Sequence, residues 1–122
     1  MKYLILIYGN AQNWDNSILQ AYGDLSSDEY DRQVATFDAF YAELKASGKL
    51  IAGTPLAAPE MTKTITERNG VVSITDGPFA EAKEQLAGGV LVDCETIEEV
   101  YEIARNFPEV KYVAAEIRPV AV

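Results

Sequence analysis

The chain of 122 residues contains no histidine. Histidine is the usual proton shuttle near neutral pH and the commonest ligand for zinc and iron, so its absence removes much ordinary catalytic chemistry. Ser-His-Asp and Cys-His nucleophiles are excluded outright. Any general acid or base must be a carboxylate, a lysine or a tyrosine with a shifted pKa. One cysteine, Cys94, cannot form an internal disulfide and suits a reducing, cytoplasmic setting. It follows Asp93 at a strand end with no cation near it in sequence, which reads as a structural residue. Basic residues are also scarce: 10 Lys and Arg against 19 Asp and Glu leave a formal net charge of −9, which disfavours nucleic-acid partners. No basic amphipathic helix is present to meet anionic lipid. The apolar start, Met1 to Tyr8, reads as too short for a signal sequence or a membrane span. No spacing of oxygen or soft ligands suggests a metal site, and no cofactor is expected.

What is present describes one α+β domain over residues 1–122, with no repeat or linker. Lys2 to Tyr8 reads as a strand with apolar residues on both faces. Gly9 to Asp24 is a long polar stretch with Trp14 in its middle; such stretches act as lids or binding loops, or are pinned to the core, here through Trp14 and Ile18. Ser26 and Glu29 make a capping box, and Leu25 with Tyr30 a hydrophobic staple. The stripe Tyr30, Val34, Phe37, Tyr41, Leu44 then predicts a helix that Gly48 terminates. Lys49 to Ala52 is a short strand before an expected turn at Gly53-Thr54-Pro55. Asn69-Gly70 marks a type I′ hairpin between Thr62–Arg68 and Val71–Thr75. Leu86 to Asp93 is a further strand, weakened by Gly88-Gly89 unless a bulge or a close neighbour requires them. Thr96 and Glu99 cap a second helix with the stripe Ile97, Val100, Tyr101, Ala104, Phe107. Tyr112 to Arg118 closes the chain. This order predicts a ferredoxin-like sandwich: two helices on one face of a mainly antiparallel sheet, with an extra hairpin. Two helices cover only one sheet face, so the doubly apolar first strand predicts a homodimer.

The polar stretch from Asp76 to Gly89 is the expected site. Gly77 before Pro78 specifies a bend, since glycine alone takes φ > 0 without cost. Asp76 is a candidate base or ligand-orienting carboxylate beside buried strands, or a cap for the Phe79 or Ala80 amide. Phe79 is either a core anchor for the turn or a ring that stacks on a ligand. Glu81, Lys83 and Glu84 form either a solvated face or, through Lys83 held between carboxylates, an anion site. Arg118 at the last strand's end has the same two readings. Tyr8 is a donor at a cleft mouth or a rim aromatic.

The run Asp76-Gly77-Pro78-Phe79-Ala80-Glu81-Ala82-Lys83-Glu84-Gln85-Leu86 resembles the signature of the DGPF branch of the YCII-related family. Met1 to Leu4, Ile7-Tyr8-Gly9, Ala52-Gly53, Asn69-Gly70 and Glu116-Ile117-Arg118-Pro119 are similar to that family as well. The resemblance implies a dimeric α/β-barrel fold and members thought to be small-molecule enzymes, some encoded beside extracytoplasmic-function sigma factors. The wider family's proposed His and Asp pair has no counterpart here: histidine is absent, and the Asp-Pro after the second helix is Phe107-Pro108. Ala82 and Val90-Leu91 also depart from the branch's pattern. A small-molecule-binding or enzyme-like dimer is therefore one functional reading, and a regulatory protein-binding module the other.

Overall fold

A computed structural model describes residues 1–11, 14 and 26–122. The chain order is β1 (Lys2–Asn10), α1 (Ser27–Ala46), β2 (Leu50–Pro55), β3 (Lys63–Arg68), β4 (Val71–Asp76), β5 (Glu84–Asp93), α2 (Ile97–Ala104) and β6 (Ala114–Pro119). Short 3₁₀ turns at Pro59–Met61 and Pro108–Lys111 join these elements. Four strands form an antiparallel sheet in the order β2-β5-β1-β6, and β3 pairs with β4 as a separate hairpin. Both helices pack on one sheet face, the ferredoxin-like arrangement expected from the sequence.

The caps that start the helices are half of what the sequence predicts. Ser26 Oγ accepts from the Glu29 amide at 3.2 Å, but the Glu29 carboxylate turns to Arg32 and Gln33 instead of back to the cap. Thr96 Oγ1 likewise accepts from the Glu99 amide at 3.3 Å, while the Glu99 carboxylate pairs with Lys49 at 3.3 Å and ties α2 to the residue preceding β2. Gly48 has φ +77°, as its helix-ending role requires. Leu25 and Ile18 lie outside the described residues; Trp14 packs against Gly9.

Alternation along β1 sends Tyr3, Ile5 and Ile7 into the core, where Val90 and Val92 of β5 and Val100, Ile103 and Ala104 of α2 meet them. Tyr101, expected in the α2 stripe, is 51% exposed, and Ile103 takes its place in the core. Leu4, Leu6 and Tyr8 face the other way, half-buried, beside Leu91 and opposite the helices. The sheet therefore carries an apolar centre on both faces.

Two further expectations are corrected. Gly53-Thr54-Pro55 is not a turn: β2 runs on through Pro55, with Gly53 opposite Val90 and Thr54 opposite Gly89. β2 is an edge strand, where a proline's missing donor leaves no ladder bond broken. Phe79 is not a core anchor but 80% exposed. The bend it belongs to is held by polar bonds. Gly77 has φ +94°, its amide donates to the Thr62 carbonyl at 2.8 Å, and Thr64 Oγ1 donates to its carbonyl at 2.7 Å. Gln85 Nε2 donates to the Ala80 and Ala82 carbonyls, both at 3.0 Å. A polar residue counted toward a site is thus what shapes the loop.

The glycines of β5 follow a bulge, and one of them, Gly88, also has a close neighbour. A register shift falls between Ile7 and Tyr8 on β1, opposite Gly88 and Leu86, so Ala87 is the bulged residue. A side chain at Gly88 would come within 2.8 Å of the Thr54 carbonyl oxygen, so β2 and β5 approach too closely there for anything but glycine.

Candidate functional site

Between α1, the β2–β5 pair and the turn after α2 lies a cavity of about 350 Å³. Its floor is backbone: Gly53 and Gly88 offer no side chains to fill it, and Gly89 lines it beside them. Phe37 and Tyr41, one helical turn apart on α1, form a wall; their rings stack at 6.0 Å with an interplanar angle of 25°. Phe107 closes the end and meets Phe37 edge-on at 5.5 Å. The Tyr41 hydroxyl rests over Gly53, where a β-carbon would lie only 2.5 Å from it. The outer side of the Tyr41 ring carries a cation contact, with Lys45 Nζ 5.3 Å from its centroid.

Among the described residues, one acid lines this apolar space. Glu109 follows Pro108 in the 3₁₀ turn, and its own carbonyl accepts from the amides of Tyr112 at 3.2 Å and Val113 at 2.7 Å, which fixes its backbone. The side chain is partly buried, and that burial pushes its pKa above the ordinary carboxylate value; a bond from its own amide pulls weakly the other way. Glu109 escaped the sequence analysis. The signal available was its place two residues after Phe107, where the wider family carries its Asp-Pro.

A carboxyl whose folded pKa is raised stabilises the fold below its unfolded pKa and loses that contribution as pH rises through the folded value. Glu109→Gln is therefore expected to raise the thermal midpoint at pH 7. Below the ordinary carboxylate range, where both forms are neutral, that gain should vanish. A gain of equal size at pH 7 and pH 3.5, or a loss at pH 7, would show that burial does not oppose ionisation.

The residues singled out in the sequence do not line this cavity; Phe79 borders a more open hollow of about 540 Å³ and Lys83 another of about 380 Å³. Asp76 ends β4 with a side chain 84% exposed and paired to Lys63. It sits in no desolvated environment and makes no bond to the Phe79 or Ala80 amide. Lys83 and Glu84 are exposed at the start of β5, where the Lys83 carbonyl accepts from Ala11 at 2.7 Å. Tyr8 and Arg118 come together on the helix-free face around Glu116, which bonds the Tyr8 hydroxyl and raises its pKa. Trp14 sits on the helix side over Gly9, its ring 3.1 Å from where a β-carbon would be and 3.6 Å at a second atom, next to Ala87. Of the Asp76–Gly89 stretch, Ala87, Gly88 and Gly89 reach the cavity; its charged residues do not line it. Cys94 is buried, and burial raises its thiol pKa, consistent with a structural residue. Among the described residues no cluster of three or more acidic or cysteine side chains is placed to hold a metal. None of the described helices is long and apolar enough to cross a membrane.

Comparison with known proteins then places the chain. The YCII-related domain family matches it over residues 1–122. The chain belongs to the YCII-related family. An uncharacterised protein of Rhizobium meliloti (strain 1021) is 31% identical over 123 residues, covering 99% of this YCII-related chain and 93% of its own length. Among solved structures, the 5-chloro-2-hydroxyhydroquinone dehydrochlorinase of Burkholderia phenoliruptrix AC1100, in complex with 2,5-dihydroxybenzoquinone, is similar at 15% identity and a TM-score of 0.47, with 99% of this chain and 94% of that one covered.

Proposed function

We propose that this YCII-related protein binds a small, mostly apolar molecule in the cavity beneath α1, as an enzyme-like cytoplasmic dimer. The observation that carries the proposal is Glu109: among the described lining residues the one acid, beside the rings of Phe37, Tyr41 and Phe107 over a glycine floor. Binding sites commonly have this composition, an apolar cleft with few polar groups at fixed positions. With no histidine in the chain, Glu109 and the Tyr41 hydroxyl are, among the described lining residues, the groups able to exchange a proton with a ligand. The Asp76–Leu86 run supports placing the protein in the DGPF branch, where that run shapes a loop and not the cavity. The buried free thiol of Cys94 supports a reducing compartment.

Addition of a single-ring neutral probe such as benzyl alcohol is expected to raise the thermal midpoint with concentration, because a ligand bound by the folded state alone stabilises it. No shift from any of a panel of one-ring compounds would refute the proposal.

The dimer rests on Leu4, Leu6 and Leu91, apolar side chains at the centre of the sheet face that the helices leave open, with Glu116 and Arg118 at its margin. A second copy related by a two-fold axis would set apolar centre on apolar centre and each acid near the other copy's base. Light scattering at micromolar concentration is expected to give twice the chain mass; a stable monomer would contradict it.

A second reading is favoured by one specific feature. The hairpin exposes Ile65 at 67% and Ile74 at 69% as a cross-strand pair, with Phe79 nearby at the end of β4. Exposed apolar residues grouped in this way mark interaction surfaces. A regulatory module would use this hairpin to hold a protein partner. The sigma-factor association implied by the family resemblance would belong to that reading.

A further inference from the structure

Among the described residues, the ionisable groups that line the cavity are Glu109 and Tyr41, an acid and a phenol, and none is a cation. A ligand entering this space meets one group able to carry negative charge and three aromatic rings. Ring faces are negative and attract cations, and the Tyr41 ring already does so on its outer side, where Lys45 lies 5.3 Å from the centroid. Lys45 is exposed and does not line the cavity. At longer range, a formal net charge of −9 draws cations to the molecule and repels anions.

From this juxtaposition we infer that the cavity selects small aromatic or apolar amines, the ligand's ammonium pairing with Glu109 among the rings of Phe37, Tyr41 and Phe107. The inference rests on the proposal that the cavity binds small molecules, and adds the charge of the ligand to it. An anionic ligand would bring like charge to Glu109 in a poorly solvated space. A neutral one would leave that carboxylate unpaired. An ammonium satisfies the carboxylate with a charge-assisted bond, the strong kind. It also favours the ionised acid, opposing the desolvation that raises the Glu109 pKa. Binding of an amine should therefore release a proton at mildly acidic pH and strengthen as pH rises.

Three probes of matched size separate the possibilities by calorimetric titration at pH 7: benzylamine, benzyl alcohol and benzoate. Benzylamine is expected to bind the parent protein roughly tenfold or more tightly than benzyl alcohol, the scale of one charge-assisted bond. Benzoate is expected to bind weakest. Lowering the pH from 7 to 4.5 should weaken benzylamine and leave benzyl alcohol unchanged. Glu109→Gln should abolish the preference for the amine while still taking up benzyl alcohol, and Glu109→Asp should keep part of it. Equal affinity for the amine and the alcohol in the parent protein, or a preference that survives in Glu109→Gln, would overturn the inference while leaving the cavity as a binding site. If none of the three probes binds, both the inference and the proposed site fail.

Discussion

Phe107→Ala is expected to destabilise the protein by about 3–5 kcal/mol, the usual cost of truncating a buried phenylalanine. Phe107 is buried at the point where α2 gives way to its 3₁₀ turn, with Phe37 at 5.5 Å and Phe40 at 5.9 Å around its ring. Those partners sit on α1, so the ring joins the two helices as well as closing the cavity. Set against a typical stability of about 5–15 kcal/mol, a loss of this size takes a large share of the whole. Urea unfolding should show it as a lower midpoint at an unchanged slope, since the area exposed on unfolding hardly alters. Tyr101→Ala on the outer face of α2 serves as the contrast and should stay within about 0.5 kcal/mol of the parent, as surface changes usually do. A Phe107→Ala variant as stable as Tyr101→Ala would remove the aromatic wall from this account.

Gly88→Ala is expected to cost about 1–3 kcal/mol, the range for forcing extra volume into a packed site. The added carbon would come within 2.8 Å of the Thr54 carbonyl oxygen and 3.5 Å of the Pro55 α-carbon. Both are backbone, so relief requires β2 to shift from β5 and the cavity floor to shift with it. Two neighbouring glycines calibrate the result. A methyl at Gly89 meets only the Leu4 side chain at 3.7 Å, an ordinary contact, and Gly89→Ala should be nearly neutral. At Gly53 the obstacle is the tip of the Tyr41 side chain, which can swing aside; Gly53→Ala should disturb ligand binding more than folding. Denaturation of the three variants side by side checks the order. A Gly88→Ala protein as stable as Gly89→Ala would mean that β2 yields easily and the floor is not rigid.

Features written into a few adjacent residues were legible in the sequence. The two N-caps, the Gly48 helix end and the Asn69-Gly70 turn each depend on contacts within about one turn of chain, and each appears where expected. That β1 is apolar on both faces was legible, but which set faces the helices, Tyr3, Ile5 and Ile7, came only with the fold. Errors came where a local signal was ambiguous and the tertiary structure decided. Gly53-Thr54-Pro55 has turn composition, yet an edge strand accepts it. α2 is only eight residues long, so a stripe with Tyr101 in place of Ile103 fitted the pattern almost as well.

The cavity was hardly legible at all. Its wall comes from α1, its floor from β2 and β5, and its carboxylate from the turn after α2, and no single window of sequence contains two of these. Charge density pointed instead to residues 76–85, where a glycine bend and the Gln85 amide organise an exposed loop. Absence of histidine was the sequence feature that bore most directly on the site, because it left carboxylates, lysines and tyrosines to carry any proton transfer. Locating Glu109 among the nineteen acidic residues required the fold.

Entry of a ligand beneath α1 should be visible in amide chemical-shift mapping during titration with benzyl alcohol. The largest shifts are predicted at Tyr41, Gly53, Gly88, Gly89 and Glu109, which come from four separate stretches of sequence and meet in the cavity. Shifts confined to residues 76–85, or an unchanged spectrum at saturating probe, would contradict it.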